Sequence, residues 1–269
     1  MRKLVATLGA ALLLAACSGS SDPAPTETEA PPAATPDAVE TEPTEPTEAE
    51  APEVSTADAV VFAAASLNAV FPEIAEANYS FDGSSGLVDQ IVGCAPADVF
   101  SSADQKNMDR AVEEGVIDGD PVMFATNYLV IAVPAGNPAG ITGFDESLDG
   151  TKLVICQEDV PCGNATRALA ETQSVTLTPV SEEANVTDVL GKVTSGEADA
   201  GLVYLTDASG AGDKVEIIEI PGSDENPNTY WIAKVAGAQN VEAAEAFIAA
   251  ITGPEGAATL ASFGLGPAK

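Results

Sequence analysis

The sequence predicts an α/β fold, and three observations predict it. Along residues 58–269, apolar runs of four to eight residues alternate with stretches of helical periodicity, the pattern of mostly parallel sheets flanked by helices. Those 212 residues suffice for one large domain or two lobes of ordinary size. Several apolar runs also end in a small or polar residue that opens a helix, at Ser66, at Ser84 and Ser85, at Pro161-Cys162-Gly163 and at Asn185-Val186.

The elements follow in order. "AVVFAAA" (59–65) reads as a strand buried on both faces, and Leu67 to Ala77 as the helix after it. Pro72 conflicts with that helix, because at its sixth position a proline removes a backbone bond and should bend or shorten it. "YSF" leads into the turn "DGSSG" (82–86) and a short helix to Val92. "ADVFSSAD" (97–104) is a strand and turn, and "QKNMDRAVEEGVI" an amphipathic helix ending near Gly115. "NYLVIAVP" (127–134) and "TKLVICQ" (151–157) are strands, and "VPCGNATRALAETQ" is a turn opening a helix. A helix from Val186 to Ser195 precedes the strand Ala200 to Leu205. "VEIIEIP" and "TYWIAKVAG" are two more strands. The chain closes with a helix after Asn240 and another from Pro254, a residue suited to a first helical turn.

The first 57 residues are of different material. Arg2 and Lys3 precede an apolar stretch from Leu4 to Ala16, too short to span a bilayer as a mature helix. It ends in Leu14-Ala15-Ala16-Cys17, which resembles a bacterial lipobox. Residues 1–16 are expected to be a lipoprotein signal peptide and Cys17 the lipidated residue, so the mature protein is anchored to the outer face of the cell membrane, extracytoplasmic and otherwise soluble. Residues 18–57 hold eight prolines and ten Asp or Glu, with no Lys, Arg or aromatic residue. Such a stretch cannot bury enough apolar surface to offset ordering, so 17–57 is expected to be a disordered acidic tether. Its reach is roughly 35 Å as a coil and about 120 Å when extended.

Composition excludes several chemistries. Residues 58–269 carry 32 acidic and 8 basic residues, and phosphate-backbone binding needs the basic footprint this lacks, so no nucleic-acid partner is expected. The chain has no histidine, which removes Ser-His-Asp and Cys-His nucleophile machinery and the commonest metal ligand. No S-x-x-K or G-x-S-x-G pattern occurs, so an extracytoplasmic serine-dependent enzyme is the weaker alternative, and no catalytic residue, cofactor or cationic metal is expected. No GxxxxGK[ST] phosphate loop occurs either. A helix N-terminus supplies unpaired N–H groups and partial positive charge, and so can hold an anion without a basic side chain.

"VFAAASLNAVFPEIA", "F-x-GSSGLVDQI", "G-x-APADVFSSADQKNMD", "VPCG" and "ADAGLVYLTDA" occur in this order. Together they resemble the molybdate-binding proteins of ABC transporters, across essentially all of residues 58–269. The resemblance implies a two-lobed type II periplasmic-binding-protein fold with a ligand cleft between the lobes. The crossings are expected near Val133 and Tyr230, which assigns 58–132 and 231–269 to lobe 1 and 133–230 to lobe 2. It implies an oxyanion site at Ser66, Ser84, Cys162, Val186 and Tyr204, with Ser85 a further candidate. Ser66, Ser84 and Tyr204 would give hydroxyl hydrogens, and Cys162 and Val186 backbone N–H groups. Cys162 stands where the family usually has alanine, in "VPAG". The implied function is capture of molybdate or tungstate by a monomeric receptor that delivers it to an ABC permease with its ATPase.

Molybdate and tungstate are fully deprotonated dianions near neutral pH, so a site of donors alone suits them and a carboxylate in the wall would repel them. Sulfate, or another tetrahedral oxyanion, is the alternative ligand, to be excluded by cavity size. With Cys17 lipidated, an odd three cysteines remain in an oxidising compartment. A Cys156–Cys162 disulfide closing "CQEDVPC" is expected, leaving Cys94 unpaired and buried; the alternative is three buried thiols.

Overall fold

The computed structural model describes residues 54–268. The expected signal peptide, the expected lipidation site Cys17 and the expected tether as far as residue 53 lie outside the described residues. No helix among the described residues is long and apolar enough to cross a membrane.

The chain begins with β1 (Val60–Ala64), a 3-10 turn at Ala65–Leu67 and the short helix α1 (Phe71–Ile74). Pro72 therefore occupies a first helical turn, where its missing N–H would be unpaired anyway. The single helix expected over 67–77 is replaced by these two short pieces, and the conflict with Pro72 disappears. β2 (Asn78–Asp82), α2 (Ser84–Val92), β3 (Val99–Ser102) and α3 (Gln105–Glu113) follow, and then two consecutive strands, β4 (Ile117–Asn127) and β5 (Leu129–Pro134). Next come β6 (Leu153–Cys156), α4 (Pro161–Gln173), β7 (Ser181–Glu183), α5 (Val186–Thr194), β8 (Ala200–Tyr204) and α6 (Leu205–Gly210). β9 (Val215–Glu219), β10 (Asn228–Val235), α7 (Val241–Thr252), α8 (Pro254–Ser262) and β11 (Gly266–Pro267) complete the chain.

Two sheets result. The first has the order β11-β4-β10-β3-β1-β2 and the second β7-β6-β8-β5-β9. Both are mixed rather than mostly parallel. β1, β2 and β3 run parallel in one, and β6, β7 and β8 in the other, while β4, β5, β9, β10 and β11 pair antiparallel. The crossings also differ from expectation. The chain passes from the first sheet to the second at Tyr128 and returns between Glu219 and Asn228. Leu129–Ala132 thus belong to the second sheet and Asn228–Tyr230 to the first, because the strand β4 reaches to Asn127 before β5 begins.

β1 shows how sequence dictates packing here. Val61 and Ala63 face the larger core, and Phe62, on the opposite face, packs with Leu87, Phe100 and Met108. The start of the described chain is fastened to this first lobe. Thr56 Oγ1 donates to the Glu76 carbonyl at 2.7 Å, and Asn78 Nδ2 to that of Ala57 at 3.0 Å. Asp98, 2% exposed, accepts from the backbone N–H groups of Val60, Gln239 and Asn240 and so ties β1 to the approach to α7. Burial raises its pKa, but these bonds outweigh it and hold the carboxyl below the usual range. Cys94 is an exposed free thiol, not the buried one expected, because it sits at φ 67° in the turn after α2.

Candidate functional site

In open α/β sheets, ligands collect beyond the carboxyl ends of parallel strands. Here those ends belong to β1, β2 and β3 in one lobe and β6, β7 and β8 in the other. The segment after each strand lines one small cavity: Ser66 after β1, Ser84 after β2, Ala103 after β3, Cys162 after β6, Val186 after β7 and Tyr204 at the end of β8. About 10 Å³ of it is open to the centre of a water molecule, room for about one. The structure thus brings five sequence-predicted residues together. Ser85 is buried beside them in α2 but does not line the cavity.

Ser84 opens α2 after Gly83, which offers no capping side chain. Its Oγ accepts from the Ala103 N–H at 3.1 Å, which leaves the hydroxyl hydrogen free to be donated. Ser66 lies in the 3-10 turn, its Oγ 2.8 Å from the Tyr230 hydroxyl. Cys162 is the second residue of α4, behind Pro161 and a Val160 N-cap without a side-chain bond. Val186 is the first residue of α5; the Asn185 cap accepts from Asp188 N, three residues on, and leaves the amides of Val186 and Thr187 without an intrahelical partner. The Tyr204 hydroxyl is buried and has no hydrogen-bond partner. A buried hydroxyl without a partner is costly, and one lining a cavity points to something that accepts from it.

The Cys156–Cys162 disulfide is present, with Cα atoms 5.7 Å apart. It joins the end of β6 to the first turn of α4 and so fixes where the Cys162 amide sits. Gly163 is required next to it, since a Cβ there would lie 1.7 Å from the Gln157 carbonyl oxygen.

Among the described residues no basic side chain lines the cavity, but one carboxylate does. Asp82 departs from the donor-only wall expected of the sequence. Its Oδ1 is engaged by the Gly83 N–H at 2.7 Å and, from the other lobe, by Asn185 Nδ2 at 3.1 Å. Further bonds join the lobes from Asn68 Nδ2 to Thr187 Oγ1 at 3.3 Å and from Asn107 Nδ2 to the Asp159 carbonyl at 3.4 Å. At Gly83 a Cβ would stand 2.2 Å from the Ala184 carbonyl oxygen across the cleft, so glycine permits this approach.

Burial pushes the Tyr204 and Tyr230 hydroxyls far up in pKa, so both remain protonated donors. Asp207, at the start of α6, is pushed up to about 7 by burial, partly offset by the Tyr204 backbone, and its Oδ2 has no partner. Sequence reasoning missed Tyr230 and Asn127. Tyr230 appeared only as an approximate crossing point, and nothing local links it to a serine 164 residues away. No group of three or more His, Cys, Asp or Glu is arranged as a metal site among the described residues.

The family model described as bacterial extracellular solute-binding protein matches residues 59–266. The molybdate-binding protein ModA of Mycobacterium tuberculosis is 43% identical over 208 residues, covering 73% of this chain and 80% of that protein. The chain belongs to the bacterial extracellular solute-binding proteins, of the ModA type. ModA of Escherichia coli is 32% identical over 227 residues, covering 76% of this chain and 87% of that protein. The periplasmic molybdate-binding protein of Azotobacter vinelandii has the same fold, with a TM-score of 0.70 at 20% identity over 79% of this chain and 100% of that one. This solute-binding protein therefore has the two-lobed architecture expected from its motifs, and its cleft is where a solute of this family would be sought.

Proposed function

We propose that this solute-binding protein captures molybdate or tungstate as the intact dianion outside the cytoplasm and delivers it to an ABC permease powered by a partner ATPase. The protein acts as a receptor, not an enzyme, and needs no cofactor. The observation that carries the reading is that Ser66, Ser84, Cys162, Val186 and Tyr204, which can offer three hydroxyls and two helix-start amides, line one cavity with no basic side chain among the described residues. A tetrahedral dianion offers only acceptors, and such a wall offers donors; with room for about one water as it stands, the cavity must widen to take the dianion. The relatives named for molybdate support the choice of oxyanion. Anchoring through Cys17 and the acidic tether would keep the receptor at the outer face of the membrane, as a monomer. Asp82 opposes an anion by its charge, and the two N–H donors on its Oδ1 reduce that repulsion without removing it.

Isothermal titration of the purified chain with molybdate, tungstate, sulfate and phosphate tests the proposal. Tight binding of the first two only is expected. Equal affinity for sulfate would reassign the ligand to tetrahedral oxyanions at large, and binding of none would overturn the oxyanion function.

A further inference from the structure

A serine hydroxyl can present either a hydrogen or a lone pair to a ligand. At Ser66 a chain of three groups bears on that choice. Asn127, at the end of β4, accepts the Tyr128 N–H on Oδ1 at 3.0 Å, which fixes the orientation of its amide. Its Nδ2 therefore faces the other way, donating to Thr206 Oγ1 at 2.8 Å and lying 3.5 Å from the Tyr230 hydroxyl. An amide nitrogen can only donate, so the Tyr230 oxygen is the acceptor in that contact.

Tyr230 lies on β10, fully buried, its ring edge-on to Tyr204 and Phe124. Its hydroxyl bonds to Ser66 and Asn127. If Ser66 gave its hydrogen to Tyr230, the phenol hydrogen would be stranded in the core. If Tyr230 gives, the hydrogen left over belongs to Ser66, which lines the cavity.

We propose that Asn127 and Tyr230 are positioning residues that set the polarity of the Ser66 hydroxyl, so that it presents a hydrogen to the cleft and favours fully deprotonated oxyanions over protonated ones. The inference rests on the oxyanion function proposed above. The relay runs in one direction, from the Asn127 amide through Tyr230 and Ser66 to the ligand. Replacing the donor at 127 with an acceptor reverses it: Asn127→Asp would accept from Tyr230, Tyr230 from Ser66, and Ser66 would turn a lone pair toward the cleft.

The test uses the full chain at pH 8, where molybdate and hydrogen phosphate are both dianions and only the second carries a proton. Because the two charges match, any general repulsion by the added carboxylate cancels in the ratio of their affinities. Asn127→Asp is expected to lower the molybdate-to-phosphate ratio at least tenfold, about 1.4 kcal/mol. In a Tyr230→Phe background, which breaks the relay, the same substitution should leave the ratio unchanged. An unaltered ratio in folded Asn127→Asp protein, or an equal fall in the Tyr230→Phe background, overturns the relay. Should Asn127→Asp fail to fold, Tyr230→Phe alone decides: it frees the Ser66 hydroxyl to present either a hydrogen or a lone pair, so the molybdate-to-phosphate ratio is expected to fall at least fivefold, and an unchanged ratio overturns the inference. A native chain that binds neither anion overturns the oxyanion function instead, which keeps the two failures apart.

Discussion

Tyr204 carries a hydroxyl that nothing among the described residues satisfies, and Ser66 one whose partner leaves a hydrogen over. Both are donors without an acceptor, placed where a ligand would supply one. Ser66→Ala together with Tyr204→Phe removes two hydrogen bonds to a charged group, each on the order of 1.5–3 kcal/mol. Titration calorimetry should show molybdate affinity down by roughly a hundredfold or more in a protein that still folds, because Ser66→Ala strands the Tyr230 hydrogen while Tyr204→Phe removes a buried hydroxyl without a partner. Asp207 is the opposite case, with a carboxyl oxygen, Oδ2, that no donor among the described residues reaches. Its pKa of about 7 lies above the unfolded value, so the folded state holds the extra proton between about pH 4 and 7. Stability therefore falls as pH rises through that window and levels off above it. In Asp207→Asn this loss should vanish, so melting curves at pH 5 and pH 8 should show the variant gaining on the native protein at the higher pH. Ser66, Ser84, Cys162, Val186 and Tyr204 were legible because each lies in a short local motif that resembles the molybdate-binding family. Asn127 and Tyr230 were not, because their meaning depends on strands brought together from distant parts of the chain.

Helix starts supply the remaining donors, and they do so through backbone. At Val186 a substitution to alanine keeps the N–H and should leave molybdate affinity within about twofold, whereas proline removes it. Proline is well accommodated there: the position is the first of α5, and Asn185 before it is already extended at φ −153° and ψ 167°. Val186→Pro should therefore fold normally and lose roughly tenfold in affinity, an outcome that equilibrium dialysis beside Val186→Ala would check. Element type was readable wherever the pattern was strong. β4 was not read because Asp118, Gly119, Asp120 and Pro121 look like a turn; they sit in a strand whose register against β10 shifts twice. β7 is three polar residues and carries no hydrophobic signal at all. It is recognisable only from its pairing with β6.

The charge of the whole molecule works against its proposed ligand at long range. With a net charge of −32, the protein repels a dianion until screening intervenes. The Debye length falls from about 30 Å at 0.01 M salt to about 8 Å at 0.15 M. Stopped-flow association of molybdate should therefore accelerate with added salt, the reverse of an electrostatically steered receptor; a falling rate would show that the local dipoles already dominate at a distance. The same architecture divides mechanical roles between the lobes. Thr56 and Asn78 fasten the beginning of the described chain to the first sheet, while the backbone reaches the second sheet at Tyr128 and returns through the segment between Glu219 and Asn228, with side-chain bonds across the cleft besides. A pull transmitted along the chain to residue 54 is thus borne by the first lobe alone. The second lobe lies outside that line of force, so under the proposed function an opening of the cleft would be expected to leave the fastened end of the chain undisturbed.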